Sequence, residues 1–125
     1  MSRVAARKIG DLELRVDTHN SRAVLSLAGK VTIDSSPDLR NHLLALLGDA
    51  SLEQITIDLK DVSYLDLSGI ATLLEALRNA RASKRRLLLT ELQDRPRYLL
   101  EVTGLLPFFK EACNPQQSAT LKGQE

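Results

Sequence analysis

The sequence has no Trp, two Tyr, two Phe and one Cys in 125 residues. Its core must therefore be built from Leu, Ile, Val and Ala, which the 43% apolar content can supply. A solitary Cys113 excludes an intrachain disulfide and a cysteine cluster for zinc. No apolar run approaches the roughly 20 residues that span a bilayer. The opening Met1-Ser2-Arg3-Val4-Ala5-Ala6-Arg7-Lys8 lacks the apolar stretch of a secretory signal. Charge of one sign is missing too. The 17 Lys+Arg and 16 Asp+Glu leave a net +1, so there is no cationic excess for a phosphate backbone. These absences predict one small cytoplasmic domain, with no membrane insertion, no direct nucleic-acid binding, and no metal or cofactor.

Apolar periodicity supplies the order of elements. Leu12, Leu14 and Val16 alternate with charged residues as in a half-buried strand, and Ala23 to Ala28 form a second, so the two predict an antiparallel hairpin. Ser36-Pro37-Asp38 reads as a helix start, with the Ser36 hydroxyl as cap and Gly48 as stop. A strand follows at Gln54 to Leu59, with a turn at Lys60-Asp61. Ile70, Leu73, Leu74 and Leu77 mark a helix over about 68–82, Leu87-Leu88-Leu89 a buried strand, and Pro96 to Val102 a third helix. Strand–helix–strand alternation demands parallel pairing with right-handed crossovers. The expected fold is a single α/β domain with a mixed four- to five-stranded sheet and helices mainly on one face. Residues 11–112 form the domain in this reading. Residues 1–10 are read as a loosely ordered start and 113–125 as a polar tail.

The segment from Val62 to Ile70 joins the central strand to the second helix, where open α/β sheets gather binding sites. Ser68 falls in the first helical turn, whose amides lack intrahelical partners and would favour an anion. Gly69 would leave room for such a group, and Asp66 could orient the hydroxyl or cap the helix. Read by themselves, Ser68 and Asp66 are better explained as an ordinary N-cap and turn residue, and their spacing alone does not identify a phosphorylation switch.

Asp66-Leu67-Ser68-Gly69-Ile70, preceded by Ile55 to Leu65, resembles the STAS domain of anti-sigma-factor antagonists. The stretch Arg97 to Leu105 is similar to that family's late "R-x-L-x-x-T-G-L", and Leu27-Ala28-Gly29-Lys30-Val31 to its "L-x-G-x-[LV]" strand end. The resemblance implies a protein that, unphosphorylated, binds an anti-sigma factor with serine kinase activity and so frees a sigma factor. It implies phosphorylation at Ser68 and reversal by a serine phosphatase. It also implies a partner surface made of Thr32, Ile33, Asp34, Ser35, Tyr64, Asp66, Leu67, Ser68, Gly69 and Ile70. Two departures stand out. Leu67 occupies a place often held by Ser or Thr, and Thr32 replaces a carboxylate, with Asp34 two residues on. The alternative within this fold type is a cytoplasmic subunit of a lipid-transport ABC system acting as a non-enzymatic assembly module.

Enzyme readings fare worse. Asp66 stands where a nucleophile elbow needs Gly, and neither His19 nor His42 has an evident orienting partner. Gly29-Lys30-Val31-Thr32 lacks the remaining positions of a phosphate loop. Arg78, Arg81, Lys84, Arg85 and Arg86 cluster at the end of the second helix, where cations complement the helix dipole. Oligomeric state is left open by the sequence.

Overall fold

In a computed structural model, which describes residues 2–110, five strands form one sheet in the order β1-β2-β3-β4-β5. These are β1 (Ser2–Ile9), β2 (Leu12–His19), β3 (Arg22–Val31), β4 (Gln54–Leu65) and β5 (Arg86–Thr90). The first two pairings are antiparallel and the last two parallel, so the sheet is mixed as expected. The helices are α1 (Ser36–Leu47), α2 (Leu67–Ala82), α3 (Asp94–Val102) and the short α4 (Leu106–Lys110). None is long and apolar enough to cross a membrane.

The core follows from register. Leu25, Ile57 and Leu89 sit side by side across β3, β4 and β5, as do Ala23, Ile55 and Leu87, and all six are buried. Helices α1 and α2 pack against one another and complete the cluster with Leu39, Leu43, Ile70 and Leu73. A bidentate Arg40–Glu75 ion pair at 2.8 and 2.7 Å ties the two helices on their exposed side.

Residues 2–9, read from sequence as loosely ordered, instead form β1 and pair along their whole length with β2. The reason lies in burial. Val4 through Lys8 are exposed, so the strand is held by backbone hydrogen bonds and carries no apolar alternation. Its signal was the two-residue turn Gly10-Asp11, with Gly10 at φ 57°. The turn expected over 17–22 shrinks to Asn20-Ser21. Residues 113–125, read as a polar tail, lie outside the described residues.

The most consequential difference is in β4. It does not stop at Leu59 but runs to Leu65, and Lys60-Asp61 is strand. Against β3 the register shifts twice, each time by one extra residue on β4: Ser26 faces Asp58 but Ala28 faces Asp61, and Gly29 faces Val62 but Lys30 faces Tyr64. These are β-bulges. They let Leu59, Val62 and Leu65 all point inward despite a spacing of three. The bulges let β4 spend two more residues than β3 over the same length of sheet, so that Leu65 ends level with Val31 where α2 begins.

Candidate functional site

Asp66 leaves β4 with its amide bonded to the Val31 carbonyl at 3.1 Å, which places it beside the β3–α1 loop. It is the N-cap of α2, in extended conformation. Its Oδ1 accepts from the Gly69 amide at 3.1 Å and from the Ser68 hydroxyl at 2.5 Å. Its Oδ2 accepts from the Ile33 amide at 3.1 Å. One carboxylate thus joins the start of α2 to a loop more than thirty residues earlier. Burial pushes the Asp66 carboxyl up, but the hydrogen bonds from Ser68, Gly69 and Ile33 outweigh it and hold the group below its ordinary value. Asp66 is therefore ionised at neutral pH.

Ser68 is the second residue of α2 and half-buried. Its Oγ lies 3.0 Å from the Ser36 Oγ. Because an ionised Asp66 can only accept, the Ser68 proton points to Asp66, and Ser36 must be the donor to Ser68. Ser68 is neither sealed beneath side chains nor in mid-helix.

The expected contact residues divide by exposure. Ile33 (71% exposed), Leu67 (61%) and Tyr64 (47%) expose large apolar side chains on the β3–α1 loop, the first residue of α2 and the end of β4, and Asp34 is exposed next to Ile33. Thr32 is half-buried, and its hydroxyl accepts from the Asp34 amide. Three residues are taken off any contact face. Ile70 is core, and Gly69 is buried on the side of α2 that faces Leu65 and Val31. Ser35 is buried, with its hydroxyl accepting from the Thr32 amide.

Two local explanations also change. Gly69 does not make room for a phosphate; a Cβ there would lie 2.5 Å from Leu65 Cδ1 and 2.7 Å from Val31 Cγ1, so glycine is required by close packing of α2 on the sheet. The amide of Gly69, expected to be free, is bonded to Asp66. Likewise Ser36 is not a cap, since Ser35 holds that position and makes no side-chain cap bond. Ser36 is instead the hydroxyl partner of Ser68, which the sequence reading missed.

It missed Tyr98 as well. Tyr98 is 65% exposed on α3 and, with Tyr64, Leu65, Pro96 and Leu99, lines an apolar cavity of about 520 Å³ next to the serine surface. Exposed Val102 follows one helical turn later, and that i, i+4 apolar pair was the available signal.

The family described as "Mlab, STAS domain" matches residues 14–106. This chain belongs to the STAS domain family. Its sequence is 27% identical over 95 residues to the anti-sigma-B factor antagonist of Bacillus subtilis, covering 76% of this chain and 85% of that protein. It is 24% identical to the Staphylococcus aureus protein of the same name, covering 76% and 87%. The fold superposes on an anti-sigma factor antagonist from Mycobacterium paratuberculosis with a TM-score of 0.72 at 20% identity, over 92% of this chain and 97% of that one. It superposes on the phosphorylated form of the Bacillus cell fate determinant SpoIIAA with a TM-score of 0.60 at 17% identity, over 85% and 87%. These superpositions establish the STAS fold, and the mixed sheet and helices follow its pattern.

Proposed function

We propose that this chain is a cytoplasmic anti-sigma-factor antagonist: a binding protein, not an enzyme, that docks on an anti-sigma factor with serine kinase activity and is switched off by phosphorylation of Ser68. The observation that carries this reading is a half-exposed hydroxyl at the start of α2, hydrogen-bonded to an ionised Asp66, with exposed Ile33, Leu67 and Tyr64 on the adjoining segments. The relatedness to anti-sigma-B factor antagonists supports it.

The geometry suggests how the switch works. Unphosphorylated, the exposed apolar side chains are available to the partner, whose occupation leaves its sigma factor free. Asp66 acts as a positioning residue that fixes the Ser68 hydroxyl and, through the Ile33 amide, the loop presenting Ile33. A phosphate on Ser68 adds about −1.5 to −2 charges beside that carboxylate. At 4 Å and an effective dielectric of 20, each unit of like charge is opposed by about 4 kcal/mol. Asp66 must turn away, the phosphate takes over the Gly69 amide and the Ser36 hydroxyl, and the Ile33 loop loses its tether. The contact face thus changes in charge and in shape while the core stays intact. Loss of 3 to 4 kcal/mol, about a hundredfold to a thousandfold in affinity, is enough for a switch. A serine phosphatase restores the first state.

Incubation with the cognate kinase and ATP followed by peptide mapping tests the proposal. Ser68→Ala should bind the kinase and take no phosphate; phosphate on another residue would discard the site. A second reading, the assembly subunit of a lipid-transport ATPase–permease, is favoured by one feature. The Ser68 hydroxyl is already engaged by Asp66 and Ser36, as that of a purely structural serine would be. Co-purification with an ABC ATPase, and not a kinase-like anti-sigma factor, would establish it.

A further inference from the structure

At the pole of the sheet opposite Ser68, where β3, β4 and β5 begin, lies a polar cleft of about 530 Å³. Its walls carry Arg22, Lys84, Arg85 and Arg86 against a single lining carboxylate, Glu53. Arg22 and Arg86 flank Gln54 in register, so their Cα atoms stand about 10 Å apart, two strand spacings. We propose that this cleft is a binding site for a phosphoryl anion of about the size of pyrophosphate.

Three observations converge on it. First, Nη1 of Arg85 is shut off from solvent and has no hydrogen-bond partner among the described residues. A guanidinium N–H without an acceptor is costly, and an anion in the cleft would supply one once the head group turns outward. Second, the nearby acids are already engaged. Glu53 accepts from the Ser21 hydroxyl at 2.8 Å, and Asp49 accepts from the Ser51 amide and hydroxyl at 2.9 and 2.6 Å. Neither makes a direct ion-pair contact with the cleft's cations, although the Ser51 hydrogen bonds and, less strongly, the Arg85 charge hold the Asp49 carboxyl below its ordinary value. Third, Lys84 occupies a left-handed backbone position (φ 57°) that glycine would take without strain. A cation sits there at a cost to the fold. With a net charge of only +1 for the chain, four cations in one cleft form a local field that the composition conceals.

The test is an amide-shift titration of the full chain with sodium pyrophosphate at about 20 mM salt, where screening is weak. Saturable shifts confined to residues 21–22, 52–54 and 83–86, complete by about 1 mM, are expected. Arg85→Gln should weaken binding by at least about tenfold, and Arg78→Gln, exposed on α2 outside the cleft, by less than about twofold. Non-saturating shifts, or equal losses in the two variants, would overturn the proposal. Thermal melts separate a site from a strut: Arg85→Gln should melt no lower than wild type, because it removes an unpaired buried N–H, whereas a clear drop counts against the site. If that variant does not fold, Arg86→Gln carries the affinity comparison. Co-sedimentation with phosphatidylcholine vesicles containing phosphatidylglycerol, lost in Arg85→Gln, would identify a lipid headgroup as the source of the anion; pyrophosphate binding without co-sedimentation would identify a free phosphorylated solute.

Discussion

Asp66 does more than a cap usually does, since its two oxygens hold three donors from two segments. Its carboxyl is held below the ordinary value, so its stabilisation is fully present above the unfolded-state value of 3.8 and is lost as the pH falls through the lower native value. Denaturation at about pH 6 and about pH 2.5 should show wild type losing more stability on acidification than Asp66→Asn. At neutral pH that variant should be less stable by about 1 kcal/mol, because asparagine keeps one capping oxygen but sets its amide N–H2 against a donor that the second carboxylate oxygen accepts. Gly69→Ala is a different failure. Its Cβ would push into Leu65 and Val31 and cost about 1–3 kcal/mol, measured by urea unfolding. Ser36→Ala leaves Ser68 one partner fewer and makes no such clash.

Among the elements, α2 ends in a Schellman turn in which the Arg85 amide reaches the Ala80 carbonyl and the Lys84 amide the Arg81 carbonyl. Lys84 takes the left-handed position. Lys84→Gly should therefore stabilise the protein by about 0.5–1 kcal/mol, seen as a raised melting temperature, while weakening pyrophosphate binding. The strand β1 lies at the other extreme. It covers little apolar surface, so its amides should exchange with solvent faster than those of β3 and β4 under native conditions. The hairpin, the parallel crossovers and the three main helices were legible because each carries a regular apolar period. What broke the period was misread. Two bulges turned the spacing in β4 from two to three and made strand look like turn. A strand exposed on both faces, β1, left no period at all.

For the whole molecule, the two proposed sites lie at opposite ends of one sheet. The carboxyl ends of the parallel strands present Ser68 and the exposed apolar side chains, and the amino ends present the basic cleft. Leu67→Asp and Tyr64→Ser should each reduce partner binding at least about tenfold in a pull-down titration, with melting temperatures unchanged, because both side chains are exposed. Pyrophosphate binding should be indifferent to both. The order of elements from β2 to α3, the place of Ser68 at a helix start and the kinship of the chain were readable in the sequence, because periodicity and short motifs are local properties. Which residues face outward was not. The burial of Gly69 and Ser35, the meeting of Ser36 with Ser68, the tie from Asp66 to Ile33 and the gathering of four cations depend on which segments adjoin. Strand register and two inserted residues decide that, and neither is written in any one stretch of chain.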